Sequence, residues 1–430
     1  MADSLKFIST PTNLFIVGFI ALFVFIILPI MFITFNSYGV SSEQVKILSD
    51  RYDQLPSKNP VSDILNDPNK LIKLFSKEDM PLSEQCFVNF YSLACRFSGF
   101  IGPMDEGYWD PETSIRLAVK AGCRTFVLEI DYMDECMGDT ISYYPRIAIR
   151  DVQGRLRINY ESDKPACNSG RRSNIRDVCG KINDYAFSSS CTNNTDPVII
   201  VLYFLRQPPG AYNSRTVLDY YSNVAKGLSC FKNRFLTNEL DGGTYYRQTQ
   251  QSKILINNIK DYYNKVLIFS NANTSGFRTN NSHYASDEDL DFLVNLCLKY
   301  NPPANSNIID NSSNFGVLSS VEDYLQIPAD RSYKLIEDSK LRWTLCLSSD
   351  PSIPVSKPLY NTITSQYGIN CVPIVLFDFK NDFMFTDKLF KKYSFIPKPK
   401  SLRYIKSADV IPETPVDTTV ADVTNASRVD

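Results

Sequence analysis

Glu129 and Asp131 are the residues whose types and spacing best suit chemistry in this 430-residue chain. They close the stretch Gly122-Cys123-Arg124-Thr125-Phe126-Val127-Leu128-Glu129-Ile130-Asp131, which reads as a buried strand. Side chains alternate along a strand, so Val127, Glu129 and Asp131 share one face while Leu128 and Ile130 share the other. Two carboxylates pointing together can hold a metal ion or act as an acid/base pair, and the carboxyl end of a buried strand is where α/β folds carry their sites. The same pair can equally form structural salt bridges to Arg96, Arg124 or Arg150. Arg96 and Arg150 are candidates for cradling a phosphate through bidentate hydrogen bonds, or for neutralising carboxylates at a barrel rim.

Other reactive types are sparse. The single histidine, His283, sits in the polar loop Asn280-Asn281-Ser282-His283-Tyr284. Eleven cysteines are spread without a C-x-x-C pair, which argues against zinc, and their odd number excludes complete pairing within the chain. Cys95 and Cys123 lack a histidine neighbour in sequence and read as buried structural thiols. A net charge of −2 argues against a nucleic-acid face made by bulk positive charge. Arg155, Arg157, Arg171, Arg172 and Arg176 make one loop region basic, as Lys391, Lys392, Lys398 and Lys400 do near the end. Each group reads either as a solvated surface or as a contact for lipid headgroups.

The elements that must position these residues follow from periodicity. Before Gly122, Asp110 reads as a helix N-cap, Pro111 suits the first helical position, and Gly122 can close the helix in a left-handed conformation. Eight runs read as strands: Cys86 to Leu93, Arg124 to Asp131, Arg146 to Ile149, Pro197 to Leu205, Lys265 to Phe269, Gly316 to Leu318, Leu341 to Leu347 and Val372 to Phe377. Helices are expected at Thr113 to Ala121, Ser214 to Leu228, Ile254 to Tyr263, Asp287 to Leu298 and Ser320 to Leu325. Alternation of this kind predicts an α/β fold, a (β/α)8 TIM-like barrel. Upstream, Leu14 to Phe35 is a run of 22 residues without a charge. At a helical rise it extends about 33 Å, enough to cross a bilayer, and it reads as an uncleaved transmembrane helix kinked at Pro29. The expected organisation is an N-terminal segment 1–13, the membrane helix 14–35, a stalk 36–80, the barrel 81–405 with an insertion at about 150–196, and a disordered tail 406–430.

Four motifs in order resemble the X-box catalytic domain of phosphoinositide-specific phospholipase C, a TIM-barrel phosphodiesterase superfamily. They are Gly122-Cys123-Arg124 leading into the acidic strand, Tyr144-Pro145-Arg146-Ile147-Ala148-Ile149, Pro197-Val198-Ile199-Ile200-Val201-Leu202, and the closing Lys398-Pro399-Lys400-Ser401-Leu402-Arg403. The resemblance runs from about Gln85 to Arg403. It implies a phosphodiester-cleaving site with two histidines, often beside calcium. At the matching positions this chain carries Arg96 and Ile149 for the histidines, Phe97 for a metal-binding asparagine, Val127 and Glu129 for the acidic pair, and Tyr203 for a later glutamate. Arginine and isoleucine cannot shuttle a proton near neutral pH, and Glu129 is left nearly alone as a calcium ligand. The opening Phe90-Tyr91, the altered acidic strand and the end Phe395 to Arg403 resemble a degenerate branch found in membrane proteins of large DNA viruses.

The expectation is therefore a membrane-anchored, phospholipase-C-like barrel without turnover, serving a structural or binding role in a viral or infected-cell membrane. Its partners would be the lipid bilayer through Leu14 to Phe35, and phospholipid headgroups or virion proteins, with no nucleic acid. The alternative is an active phosphoric diester hydrolase with a rebuilt site of Glu129, Asp131, Arg96 and Arg150. In that case Glu129 and Asp131 would be the metal ligands for a divalent cation such as calcium.

Overall fold

The computed structural model describes residues 11–29, 43, 45–67, 80–102, 108–132, 143–149, 174–236, 253–279, 287–301, 315–325, 327, 329–350, 353–376 and 383–406. Arg150, His283, most of the basic insertion and the C-terminal tail lie outside the described residues. In chain order the first strands are β1 (Phe90–Ser92), β2 (Ala94–Cys95), β3 (Phe100–Ile101), β4 (Tyr108–Trp109), β5 (Thr125–Asp131) and β6 (Arg146–Ile147). They are followed by β7 (Val198–Phe204), β8 (Val266–Ser270), β9 (Leu296–Tyr300), β10 (Phe315–Ser320), β11 (Thr344–Leu347) and β12 (Phe395–Pro397).

A curled sheet ordered β11-β10-β9-β8-β7-β5-β2 forms the centre, with every neighbouring pair parallel. Strands covered on both faces are mostly apolar, as β7 (VIIVLYF) is; β5 is likewise buried along its whole length although it carries Glu129 and Asp131. The two edges of the curl meet on residues 371–374 through parallel bridges Leu345↔Cys371 and Cys95↔Ile374. Cys371 N–H donates to the Thr344 carbonyl at 3.1 Å and Ile374 N–H to the Ala94 carbonyl at 3.0 Å. Pro373 between them has no N–H to donate, so this eighth stave is held by bridges in place of a full ladder.

Several expected elements fall where the sequence puts them. The helix Pro111–Ala121 is capped by Asp110, whose side chain accepts the Thr113 N–H, and it ends at Gly122 with φ +100°. A Cβ there would also strike the Lys58 side chain. Other segments differ. The expected helix Asp287 to Leu298 is one turn, Leu290–Leu293, followed by strand β9. Asn295 makes the break, exchanging its N–H and its side-chain oxygen with the backbone of Ile268, both at 2.7 Å. The run Arg146 to Ile149 is not a barrel stave; β6 lies antiparallel on β5. Within Cys86 to Leu93, β1 pairs with β12, and the barrel strand β2 follows it. The second half of the expected insertion holds the helix Ile175–Ala186, whose buried face packs on the helix Pro111–Ala121.

Two cations of the closing K-P-x-x-L-R motif, Lys398 and Arg403, are buried, while Lys391, Lys392 and Lys400 are exposed. Lys398 is fully buried and donates from Nζ to the Ser339 carbonyl at 2.8 Å and to Asn370 Oδ1 at 3.2 Å, while burial holds its pKa well below the ordinary lysine value. Arg403 pairs with the buried Glu84 at 2.9 Å. Arg124 of the GCR motif is likewise buried and donates to the carbonyls of Ala186 and Asn193 at 2.8 and 2.6 Å.

Part of the expected stalk belongs to the barrel wall. Residues 45–53 are helical, and Leu48, Tyr52, Leu55, Val61 and Ile64 are buried in the same core as the strands. Tyr52 Oη donates to the Leu376 carbonyl at 2.7 Å, Lys58 Nζ to the Phe390 carbonyl at 2.7 Å, and Val61 N–H to Asp196 Oδ1 at 2.8 Å. This strap therefore ties the segments that flank the seam to the loop that feeds β7. Further upstream, the helix Pro11–Leu22 runs into a π-helical turn at Phe23–Ile27, just before Pro29. The wider turn relieves the clash that a proline ring makes with the carbonyl four residues earlier. Phe15 and Phe25 are 77% and 78% exposed. Among the described residues no helix is long and apolar enough to cross a membrane, and residues 30–35 of the expected span lie outside them.

Two predictions follow from the strap. Five buried apolar side chains contribute about 1.5–3 kcal/mol each, comparable with the roughly 5–15 kcal/mol net stability of a domain. A chain starting at residue 80 should lose its cooperative thermal transition by circular dichroism, whereas one starting at residue 43 keeps it. The second concerns Asp196, whose carboxyl is pushed up to about 7, chiefly by burial. A folded-state pKa above the unfolded value near 3.9 means that its stabilising contribution is complete below about pH 4 and is lost as pH rises to about 7. In urea titrations, Asp196→Asn should remove that slope while still accepting the Val61 N–H.

Candidate functional site

The mouth of the barrel lies at the carboxyl ends of the parallel strands. The register Glu129↔Tyr203 between β5 and β7 sets these two side chains next to each other on the inner face, above Val127↔Val201. Arg96 follows β2, and its backbone N–H donates to the Ile374 carbonyl at 3.0 Å, so the seam itself fixes its position. From there Arg96 Nε forms an ion pair with Glu129 Oε1, and Nη1 donates to the Ser348 carbonyl at 2.7 Å. The pair is buried, with side chains 7% and 1% exposed. Burial drives the Glu129 carboxyl above the ordinary carboxylate value even though Arg96 pulls it down.

Asp131 is neutralised separately. Arg206, just past β7, donates from Nε to Asp131 Oδ1 at 2.8 Å and from Nη2 to the Tyr132 carbonyl at 2.9 Å, and its guanidinium stacks 4.4 Å from the Tyr132 ring centre. The strand thus brings Glu129 and Asp131 to one end as expected, but each carboxylate meets its own arginine. Arg124 sits before β5 and reaches neither. Among the described residues no group of three or more His, Cys, Asp or Glu side chains could hold a metal ion. Calcium needs six to eight oxygens, and the neighbours of Glu129 are a guanidinium, a valine and a phenol, so the residues present do not fit it.

Phe97 has a positive φ of 58° and lies 4.9 Å from the Arg96 guanidinium, and Ile149 is 2% exposed. Burial, and secondarily Glu129, raise the Tyr203 phenol above its usual value. Glu322, in the turn after β10, accepts hydrogen bonds from Ser348 Oγ at 3.1 Å and Ser349 N–H at 3.1 Å, bracing the carbonyl on which Arg96 rests. Sequence reading missed Arg206, Glu322 and Ser348. Arg206 had a usable signal, a charge directly after an apolar strand; the Ser348 carbonyl had none.

No family model and no curated protein matches the chain. Solved structures similar to it include the L. pealei phospholipase PLC21, with a TM-score of 0.47 and 14% identity over 78% of this chain and 40% of that one. A calcium-dependent phosphoinositol-specific phospholipase C from Pseudomonas sp. gives 0.43 and 11% identity over 74% of this chain and 97% of that one. A calcium-dependent phosphatidylinositol-specific phospholipase C from Streptomyces antibioticus gives 0.41 and 8%, over 73% and 99%. This chain thus spans less than half the length of the L. pealei protein, and the calcium dependence belongs to the two bacterial enzymes.

Removing one partner of a buried pair leaves an uncompensated charge, at a cost of about 3–5 kcal/mol. Arg96→Met should lower stability by that amount in urea unfolding at pH 7.5, and adding Glu129→Leu should restore most of it.

Proposed function

We propose that this chain is a membrane-anchored, phospholipase-C-like barrel that binds at its mouth without turning over a phosphodiester. The observation that carries the reading is the buried Arg96–Glu129 ion pair, which puts a fixed guanidinium where hydrolysis would need a group able to exchange protons. An arginine stays charged at any physiological pH and so can attract an anion but cannot relay a proton. The resemblance to barrels of large DNA viruses, together with the exposed apolar helix Pro11–Leu22, supports a place in a viral or infected-cell membrane, anchored through Leu14 to Phe35. Its ligands there would be phospholipid headgroups or virion proteins, and its net charge of −2 supports neither DNA nor RNA.

One observation favours a second reading, an active phosphoric diester hydrolase. Glu129 is buried at the mouth beside Tyr203, and burial shifts its carboxyl upward, the direction that a general acid requires. The full chain, reconstituted in phosphatidylinositol-containing vesicles, separates the two. No release of inositol phosphate above protein-free vesicles is expected, with or without chelator; release that Glu129→Gln abolishes would establish the second reading.

A further inference from the structure

The loop that follows β8 leaves the carboxyl end of that strand, on the mouth side of the barrel, and carries the triplet Asn273-Thr274-Ser275. An asparagine with a serine or threonine two residues on, and no proline between, is the acceptor pattern for an N-linked oligosaccharide. The chain has five such triplets, beginning at Asn193, Asn273, Asn280, Asn311 and Asn425, and a pattern this short also arises by chance. Asn193 and Asn273 lie among the described residues, and the fold treats them in opposite ways. Asn193 is 2% exposed, donates from Nδ2 to Ser394 Oγ at 2.7 Å and accepts from Arg124 Nη2 at 2.7 Å, so a sugar on its amide nitrogen would break the core. Asn273 is exposed, and its Nδ2 has no acceptor among the described residues. Its Oδ1 accepts from Ser275 N–H at 3.2 Å and from Ser275 Oγ at 2.7 Å, so the loop occupies the oxygen of the amide and leaves the nitrogen free. The residues on either side are tied down: Asn271 holds the Phe204 N–H and carbonyl at 2.7 and 3.1 Å, and Thr274 Oγ1 donates to Asp291 Oδ1 at 2.7 Å. Asn273 therefore stands out from a fixed loop, and a bulky polar group attached there disturbs no packing.

We propose that Asn273 carries an N-linked oligosaccharide, and that the barrel therefore lies on the lumenal or external side of the membrane that holds Leu14 to Phe35. The co-reactant is a lipid-diphosphate-linked oligosaccharide. Asn273 Nδ2 bonds to the anomeric carbon of the first sugar, the bond from that carbon to the diphosphate oxygen breaks, and Nδ2 gives up one proton as the lipid diphosphate leaves. Chains reach such a donor only after crossing the membrane, so the modification reports orientation. Cys95, Cys123, Cys179 and Cys346 are 0% exposed, which keeps these thiols out of reach of oxidants on that side. The inference rests on the anchor in the proposed function, adds its orientation, and makes no use of the mouth.

The test expresses the full chain in animal cells and reads it by gel mobility, with and without an amidase that strips N-linked glycans, and by peptide mass spectrometry. The amidase should speed migration, and digestion in heavy-oxygen water should leave a labelled aspartate at position 273. Asn273→Asp keeps the oxygen that accepts from Ser275 but removes the amide nitrogen, and Ser275→Ala removes the hydroxyl. Each should lose one glycan step of mobility, whereas Ser275→Thr should keep it. The peptide containing Asn193 should remain unmodified. Alkaline carbonate washing of the membranes reads the anchor separately. A chain that resists carbonate yet is bare at Asn273, or one modified at Asn193 in place of Asn273, would overturn the proposal and leave the anchor standing. Release by carbonate would instead sink the anchor, while the state of Asn273 still decides whether it is an acceptor.

Discussion

A curled parallel sheet exposes two edges of unpaired backbone groups, and in this protein both edges are satisfied by four residues, 371–374. The closure is thin because Pro373 can donate nothing. It is reinforced from below by Asn370, whose side chain donates to the Val88 and Phe90 carbonyls at 2.6 and 2.9 Å and accepts from Thr344 N–H at 3.2 Å. From outside it is covered by the strap 45–67, whose Tyr52 reaches the Leu376 carbonyl. The same closure positions the mouth, since the Arg96 backbone is bonded to Ile374. Barrel integrity and the placement of Arg96 are thus one constraint.

Buried cations in this protein are satisfied in two ways. Away from the mouth, Arg124, Lys398 and Lys58 are met mainly by carbonyl oxygens, which tie loop and helix ends together. Dipoles satisfy the donors of a buried cation without a second ion having to be desolvated, so each cation acts as a cross-link between chain segments. Arg96 at the mouth and Arg403 in the closing motif meet carboxylates instead, as does the partly exposed Arg206 at the mouth. There the charge is compensated pair by pair.

The chemical character of the mouth follows from that compensation. Glu129 is held between the Arg96 guanidinium and the Tyr203 phenol, and burial raises its carboxyl while the ion pair with Arg96 pulls it back down.

The sequence by itself determined the acidic strand and its facing, the helix Pro111–Ala121 with both caps, and the alternation that makes a parallel barrel, because these rest on local periodicity and on single residues with special backbone preferences. It also fixed the shortage of histidine. Which arginine meets which carboxylate was decided only by the tertiary structure. Arg96 is 33 residues from Glu129, and Arg206 is 75 from Asp131. Arg206 carries a local signal, a charge directly after an apolar strand, but neither it nor Arg96 shows in sequence which carboxylate it will meet. The strap and the strand β9 were hidden for a similar reason: polar, proline-spotted segments and short apolar runs are ambiguous until a neighbouring surface exists for them to bury against.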